Sequence, residues 1–333
     1  MKARHSPLKV HIHVIVGCVL ALVLLLLQAS DVMTLPVAAA MGDTGQRIEG
    51  QVRPADDERV RVEATDEIPW RAIADLDVHF SGDIFGSFKT CTGFFVAPRI
   101  VVTSAHCIYD HQRNGYADEV KIMPGRNGRR QPLGSQTVST DALYVPQRWI
   151  ELRGGGDMHA SEYDYGIITL PDETLGNQVG FWFNLAGTDE LPGHLVNVSG
   201  YPSDKFDLAC PLLREGCQLW TDAGYVSFKD ELPRLAYYDA YTVKGQSGSP
   251  VWYVDDDGIY NVVAINTGAV YAVLSAGPRV TESMQQDIIL RSQVQPTGPV
   301  SSPEQVIRTL FEAVKALDVD AALEAVAALL NDL

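Results

Sequence analysis

The sequence predicts an all-β fold of antiparallel sheets, arranged as a sandwich or a barrel, over residues 69–295. Short apolar or alternating runs recur through this region, and Gly, Pro, Asn and Asp separate them. Many short runs bounded by turn residues favour antiparallel strands over helices. The runs that we expect to form strands are 72–80, 93–96, 100–103, 165–170, 195–199, 251–254 and 259–267.

Residues 1–40 have the layout of an export signal. Three basic residues, the last at Lys9, precede an apolar run over residues 10–27, and the small-residue sequence Pro36-Val37-Ala38-Ala39-Ala40 follows it. This order predicts a signal peptide that is cleaved near Ala40. Because the apolar run approaches the roughly 20 residues that span a bilayer, an uncleaved membrane anchor is the alternative. Both readings predict a secreted or extracytoplasmic protein, and only the anchor brings it to a membrane.

Three further segments lie outside the predicted sheets. Residues 41–68 are polar and charged with little apolar periodicity, which predicts a pro-segment and an extended N-terminal arm. Residues 296–302 are rich in Pro, Gly and Ser and predict a linker. Ser302 and Pro303 then begin a helical tail over 303–333, where apolar residues recur at helical spacing. A self-packed helical hairpin is our expectation, with partner docking, packing on the sheets or capping of a dimer as alternatives.

The chain is long and apolar enough to bury a full-sized core. It has 333 residues, 46% of them hydrophobic and 20% charged, so disorder is not expected. The formal net charge is −16, from 26 Lys and Arg against 42 Asp and Glu. Because such a surface repels phosphate backbones, we expect no nucleic-acid partner. The charge specifies neither a reaction nor an oligomeric state.

The cysteines fit an oxidising compartment. Cys18 falls in the export segment, which leaves Cys91, Cys107, Cys210 and Cys217. An even number of cysteines outside the cytoplasm predicts two disulfides, and pairing of nearest neighbours is the simplest of the three possible pairings. A zinc site is the alternative, but no Cys-x-x-Cys spacing supports it. The histidines show no i,i+4 pairing either, so we expect no metal site and no cofactor.

Two short motifs point to nucleophilic catalysis. They are Thr103-Ser104-Ala105-His106-Cys107 and Gly245-Gln246-Ser247-Gly248-Ser249-Pro250. A serine hydroxyl becomes a good nucleophile only when an imidazole takes its proton, and a carboxylate must fix the tautomer of that imidazole. We therefore predict a triad of His106, Asp164 and Ser247. The glycines beside Ser247 allow a tight turn, and the amides of Gly245 and Ser247 are our candidates to bind the oxyanion.

These motifs resemble the chymotrypsin-like serine proteases and, within that clan, the bacterial glutamyl endopeptidases. The resemblance covers about residues 52–291 and includes the order His, Asp, Ser along the chain. It rests on both motifs above and on Cys91-Thr92-Gly93-Phe94-Phe95-Val96-Ala97-Pro98, Tyr163-Asp164-Tyr165-Gly166-Ile167-Ile168, Ser199-Gly200-Tyr201-Pro202 and Gly277-Pro278-Arg279. It implies a chymotrypsin-like fold of two six-stranded antiparallel barrels with the active site between them, to which the predicted helical tail at 303–333 adds a short C-terminal extension. It also implies a Cys91–Cys107 disulfide that holds the His106 loop.

The implied activity is that of a serine endopeptidase that cleaves protein or peptide substrates through an acyl-enzyme. Asp164 is preferred over Asp157, Glu162 and Asp172 because it directly precedes the apolar run over 165–170, where the family places its buried aspartate. A non-catalytic binding or adhesion protein on the same fold is the alternative. The intact motifs argue against that alternative.

Substrate specificity is where the sequence departs from the glutamyl family. Its members are similar in using a threonine five residues before the nucleophile, a histidine on a later strand and the mature N-terminal amine to hold a substrate carboxylate. Thr242 occupies the first position, but Asn266 stands at the histidine position and cannot become a cation. Lys244 is a candidate to attract an acidic side chain at the pocket entrance. A preference for acidic residues before the scissile bond is thus left open, and processing near Val52 is expected to free the amine.

Overall fold

The computed structural model describes residues 57–82, 88–113, 115–153, 158–187, 191–205, 210, 216–271 and 274–293. The predicted signal peptide at 1–40, residues 41–56 of the predicted pro-segment, the linker at 296–302 and the helical tail at 303–333 lie outside these described residues. No helix within the described ranges is long and apolar enough to cross a membrane.

Antiparallel strands dominate the described part of the chain. The central strands are rich in β-branched and aromatic residues, as in the fully buried run Ile100–Thr103. In chain order the strands are β1 (Val60–Arg61), β2 (Ile73–His79), β3 (Lys89–Ala97), β4 (Ile100–Thr103), β5 (Tyr109–Asp110), β6 (Gly115–Tyr116), β7 (Glu119–Pro124), β8 (Gln136–Ser139), β9 (Leu143–Tyr144), β10 (Gly166–Thr169), β11 (Asn184–Leu185), β12 (Leu195–Gly200), β13 (Trp220–Phe228), β14 (Leu235–Tyr238), β15 (Pro250–Val254), β16 (Tyr260–Ile265), β17 (Gly268–Tyr271) and β18 (Leu274–Pro278).

The first barrel is a seven-stranded sheet in the order β8-β7-β2-β3-β4-β10-β9. Every adjacent pair in it is antiparallel. Six of these strands match the predicted six-stranded barrel, and the two-residue strand β9 extends the edge beyond β10. A separate two-stranded ribbon, β5-β6, follows the His106 region.

The second barrel is a nine-stranded sheet in the order β11-β16-β15-β12-β13-β14-β18-β17, with β1 added alongside β13. An isolated bridge between Ala264 on β16 and Arg279, directly after β18, joins the two ends of the run β16-β15-β12-β13-β14-β18. Six strands therefore close on themselves, as the fold prediction requires. The additional strands β1, β11 and β17 are two to four residues long.

Five short α-helices connect or cover the barrels in the described residues: α1 (Ala105–Ile108), α2 (Gln147–Glu151), α3 (Met158–Ser161), α4 (Thr174–Val179) and α5 (Glu282–Gln293). Helix α5 packs on the first barrel through the buried Met284 and Ile288. The Tyr165 hydroxyl also donates to Asp287 of this helix at 2.6 Å. This helix lies within residues 69–295, which the sequence predicts to be all-β. The prediction missed it because it was based on apolar runs, and α5 has few apolar residues.

All seven predicted strand runs contain a strand. The run 100–103 coincides with β4, and the run 195–199 lies within β12. The run 259–267 extends past the end of β16 at Ile265, because Asn266 and Thr267 turn the chain towards β17. The all-β, two-barrel fold is thus confirmed, with short edge strands beyond those predicted.

Candidate active site

His106 and Asp164 are in direct hydrogen-bond contact. The Asp164 side chain is completely buried, and its Oδ2 lies 2.8 Å from Nδ1 of His106. The second oxygen, Oδ1, accepts the backbone N–H of His106 at 2.9 Å. Because an ionised carboxylate only accepts hydrogen bonds, Nδ1 carries the ring proton and Nε2 is left as the basic nitrogen. The structure thus brings two of the predicted triad residues together.

The register of two strands creates this contact. Strand β4 pairs with β10 so that Thr103 lies opposite Gly166. His106 comes three residues after Thr103, and Asp164 comes two residues before Gly166. Because β4 and β10 are antiparallel, both residues lie beyond the same end of this strand pair. A side chain at position 166 would collide with Ile108 of α1. Glycine there lets α1, which carries His106, lie against β10.

A disulfide and a backbone hydrogen bond connect the His106 loop to Ser247. Cys107, next to His106, is bonded to Cys91, with their Cα atoms 6.2 Å apart. The residue after Cys91, Thr92, donates its backbone N–H to the Ser247 carbonyl at 2.8 Å. The Cys107 Sγ lies 3.7 Å from the same carbonyl oxygen. Ser247, the predicted nucleophile, therefore lies beside the loop that carries the imidazole of His106. Ser247 itself is half-buried.

Glycines shape the loop around Ser247. Gly245 and Gly248 have φ angles of 93° and 87°, a region that residues with a Cβ rarely adopt. A Cβ on Gly245 would collide with the Tyr201 carbonyl, and one on Gly248 would collide with the Thr92 carbonyl. The loop therefore approaches β3 of the first barrel, and Tyr201 directly after β12 of the second, through glycine backbone.

The peptide that carries the Gly245 amide is oriented by its carbonyl. That carbonyl belongs to Lys244 and accepts the backbone N–H of Ser203 at 2.8 Å. In a trans peptide the C=O and the N–H point in opposite directions. The N–H of Gly245 is therefore directed away from Ser203, and within the described part of the chain it has no acceptor.

The peptide that carries the Ser247 amide is oriented in the same way. Its carbonyl, from Gln246, accepts the Nδ2 of Asn266 at 2.7 Å and the backbone N–H of Ser249 at 3.1 Å. The Ser247 N–H points in the opposite direction. Among the described residues it also has no acceptor, whereas the Gly248 amide donates to the Asn266 carbonyl at 2.7 Å. Both predicted oxyanion-binding amides are thus fixed and available.

Thr242 and Lys244 differ in how they can meet a substrate. Thr242 is buried, and its Oγ1 lies 2.8 Å from Oγ of Ser275. Because Ser275 donates its own proton to the Ala240 carbonyl at 3.0 Å, Thr242 is the donor in that contact and keeps lone pairs free. Lys244 is exposed. The chain therefore offers a buried neutral hydroxyl at Thr242 and an exposed cation at Lys244.

Asn266 is held on both ends of its amide. Its Oδ1 accepts the Tyr238 hydroxyl at 2.8 Å, which together with the Nδ2–Gln246 bond fixes the orientation of the amide. Tyr238 is completely buried, and burial raises its pKa well above the ordinary value, so it stays a donor. The amide predicted to contact substrate is thus bonded to the nucleophile loop.

The cysteines and possible metal ligands complete the predicted site residues. Cys210 is bonded to Cys217, with their Cα atoms 5.7 Å apart, so both bridges join nearest neighbours. No group of three or more His, Cys, Asp and Glu side chains in the described ranges is arranged to hold a metal ion.

Two residues that sequence reasoning did not select hold the site together. Thr92, in addition to its backbone bond to Ser247, donates its Oγ1 to the Gly245 carbonyl at 2.9 Å and accepts the Tyr201 N–H at 3.0 Å. Ser203 orients the Gly245 amide. The sequence could have indicated these two residues only through their neighbours, since Thr92 follows Cys91 and Ser203 follows the motif Gly200-Tyr201-Pro202.

Comparisons with known proteins agree with this geometry. The profile of the trypsin-like peptidase domain matches residues 91–265. A glutamyl endopeptidase of Bacillus licheniformis is 35% identical over 235 residues, which are 68% of this chain and 65% of that protein. A Bacillus subtilis protein named extracellular metalloprotease is 32% identical over 235 residues, 70% of this chain and 67% of that protein.

A solved structure of a Glu endopeptidase in complex with MPD superimposes with a TM-score of 0.58 and 28% identity, covering 72% of this chain and 99% of that one. The chain spans about two thirds of the length of the two Bacillus relatives, 65% and 67%. The profile match covers more than half of the chain, and the matched region contains His106, Asp164 and Ser247. The chain belongs to the trypsin-like peptidase domain family.

Proposed function

We propose that this protein is a secreted serine endopeptidase that hydrolyses peptide bonds through an acyl-enzyme, with His106, Asp164 and Ser247 as its triad. The observation that carries the proposal is the double hydrogen bond from Asp164 to the ring and the backbone of His106. That contact lies in a loop joined to Ser247 by the Cys107–Cys91 bridge and the Thr92 amide. A general base fixed beside a serine on a tight glycine turn is the arrangement that acyl transfer needs.

The proposed reaction has two halves. Ser247 Oγ attacks the scissile carbonyl while His106 Nε2 takes its proton, and the resulting oxyanion is bound by the amides of Gly245 and Ser247. His106 then gives the proton to the leaving amine, which departs as the C–N bond breaks. In the second half His106 takes a proton from water, water attacks the acyl-enzyme, and the proton returns to Ser247 as the acid leaves.

Acidic residues before the scissile bond are the proposed preference. Lys244 supports it with an exposed positive charge, whereas the Thr242 hydroxyl, which donates its proton to Ser275, adds no hydrogen bond to a carboxylate. The Bacillus licheniformis relative is named a glutamyl endopeptidase, which favours the same class of substrate. Because the amide at position 266 is neutral, the preference depends on an exposed lysine and is weaker than a charge-assisted contact within the pocket would give.

Secretion is proposed from the sequence and the cysteines together. The segment at 1–40 has the layout of an export signal. Two disulfides in one domain fit an oxidising compartment. The acidic surface, with a net charge of −16, suits a protein that stays dispersed outside the cell.

Labelling of the secreted protein with a fluorophosphonate probe tests the proposal. We expect the probe to label Ser247, and Ser247→Ala to abolish labelling and peptide hydrolysis together. Ser249→Ala is the matched control, because Ser249 lies in the same motif and its buried hydroxyl has no hydrogen-bond partner in the described residues. Labelling that survives Ser247→Ala, or a wild-type protein that is neither labelled nor active, rejects the proposal and favours a binding protein. Cleavage of a peptide library then measures the preference before the scissile bond.

A further inference from the structure

The N-terminal strap, residues 57–62, lies on the outside of the second barrel. Its strand β1 pairs with β13, where Val60 lies opposite Thr221. Val62 continues the pairing by donating its N–H to the Leu219 carbonyl at 2.9 Å. The charged composition of this segment predicts a pro-segment or an extended arm, and residues 60–62 of it are held by backbone hydrogen bonds.

Arg59 anchors the strap with a side chain that is completely buried. Its guanidinium donates to the Asp57 carboxylate at 2.9 and 2.7 Å and to the Asp204 carboxylate at 2.9 and 2.5 Å. Lys205 adds a bond from Nζ to Asp57 at 2.7 Å. A buried charge is tolerated only with partners of opposite charge, so these bonds fix Asp204 relative to the strap.

Arg59 also contacts the loop that leads from β14 to the nucleophile. The guanidinium carbon lies 4.5 Å from the centre of the Tyr241 ring, a cation–π contact. Tyr241 directly precedes Thr242 and donates its N–H to Asp222 at 2.7 Å. The segment that carries Thr242 is therefore packed against the strap.

The same guanidinium is coupled to the Gly245 amide through a second route. Asp204, its partner, directly follows Ser203, whose N–H holds the Lys244 carbonyl at 2.8 Å. The Gly245 backbone lies close to this segment, since a Cβ there would collide with the Tyr201 carbonyl and lie 3.1 Å from the Ser203 nitrogen. A shift of residues 201–204 would therefore rotate the peptide that presents the Gly245 N–H.

We propose that Arg59 is a positioning residue of the active site, which couples the N-terminal strap to the oxyanion-binding amide of Gly245 and to the segment that carries Thr242. The proposal rests on the proposed function, since it concerns how that site is held in its working geometry. It divides the predicted pro-segment at 41–68: maturation cleaves the chain at or before Asp57, and the strap stays in the working enzyme.

Substitution of Arg59 tests the coupling, with Arg61→Met as the matched control. Arg61 lies on the same strap but bonds Glu63 and Asn127, away from the site. We expect Arg59→Met to lower kcat/KM by roughly 10- to 100-fold, the range that a misaligned oxyanion donor causes. Affinity for a peptide boronic acid, which forms a tetrahedral adduct with serine, should fall by a similar factor. Arg61→Met should leave both within about twofold. Active-site titration corrects each rate for the folded fraction.

Asp204→Asn keeps the test decisive if Arg59→Met does not fold. It leaves Arg59 paired with Asp57 and should lower kcat/KM and boronic-acid affinity by about 3- to 10-fold. The proposal is overturned if a folded Arg59 or Asp204 variant keeps the wild-type kcat/KM and boronic-acid affinity. In that case, labelling of the wild-type enzyme by the fluorophosphonate probe would still support the proposed function. Mass spectrometry of the secreted enzyme should find a first residue at or before Asp57. A fully active enzyme that begins after Arg59 would also overturn it.

Discussion

The Nδ2 of Asn266 donates to the carbonyl oxygen of Gln246 at 2.7 Å. Because the C=O and N–H of a trans peptide are opposed, this bond directs the Ser247 N–H away from Asn266. The residue at the expected specificity position therefore acts on the geometry of the nucleophile loop. We therefore expect it to contribute to transition-state binding more than to the choice of substrate.

Asn266→Leu should therefore lower kcat by about 10- to 100-fold and leave the ranking of residues before the scissile bond unchanged. The physical reason is the loss of one donor to the Gln246 carbonyl, which leaves only the Ser249 amide at 3.1 Å. Steady-state kinetics on a set of peptides measures both quantities. Tyr238→Phe is the control, because it removes the contact to Oδ1 and keeps the Nδ2 bond, so its effect on kcat should be smaller. A changed ranking with unchanged kcat would return Asn266 to a specificity role.

Lys244→Gln should reduce the preference for acidic residues over their amides by about 2- to 5-fold, since exposed charge pairs contribute up to about 1 kcal/mol. The effect should shrink as ionic strength rises, because salt screens an exposed lysine. The measurement is the ratio of kcat/KM for paired Glu and Gln peptides at low and high salt. Lys121→Gln, on β7 of the first barrel, is the control and should leave the ratio unchanged. An equal Glu-to-Gln ratio of kcat/KM in both variants would show that Lys244 does not contribute to the preference for acidic residues.

Gly248→Ala should lower activity by more than about 100-fold, because a Cβ there collides with the Thr92 carbonyl and the Thr103 hydroxyl beside the nucleophile. Gly258→Ala separates this collision from backbone strain. Gly258 has a φ of 78°, close to the 87° of Gly248, but no atom lies within 4 Å of its Cβ position. That variant should lose about 1–2 kcal/mol of stability and keep its activity. Comparable activity in the two variants would contradict the packing argument.

The stability of the protein should decrease as the pH falls below 6.5, because of His111. Burial lowers the pKa of His111 below its ordinary value of 6.5, although Asp110 and Asp164 oppose the shift and Arg153 adds to it. The unfolded chain then binds more protons than the folded one between the two pKa values, so the free energy of unfolding rises with pH in that window. The contribution is complete above pH 6.5 and is lost as the pH falls towards the folded pKa.

Thermal unfolding between pH 5 and 7.5 measures this dependence. His111→Gln should flatten the rise of Tm with pH, because glutamine does not titrate. His194→Gln, at an exposed position on the second barrel, is the control and should keep the wild-type slope. Parallel profiles for wild type and His111→Gln would show that another group governs the dependence.

Much of the site was predictable because its parts have local sequence signatures. His106 and Ser247 lie in short motifs, and the strand run after Asp164 identifies the aspartate. The contacts that hold these parts do not have such signatures. Asn266 meets Gln246 across 20 residues, and Arg59 meets Asp204 across 145 residues. Tertiary hydrogen bonds of this kind depend on the barrel register, which composition and periodicity do not specify.

In the N-terminal strap, the charge pattern of the sequence also fails to predict the tertiary contacts. A run such as Asp56-Asp57-Glu58-Arg59 usually indicates a solvated segment, because charged side chains are seldom fully buried. Arg59 is buried because two carboxylates, one of them distant in sequence, neutralise it. Sequence composition records the charges and not their pairing.

Thr92 has one further consequence for how this protein would fail. It belongs to the first barrel, while the two carbonyl groups that it holds, those of Gly245 and Ser247, belong to the second. Mild denaturant or pressure that weakens the contacts between the barrels should therefore abolish catalysis before either barrel loses its own β-sheet hydrogen bonds.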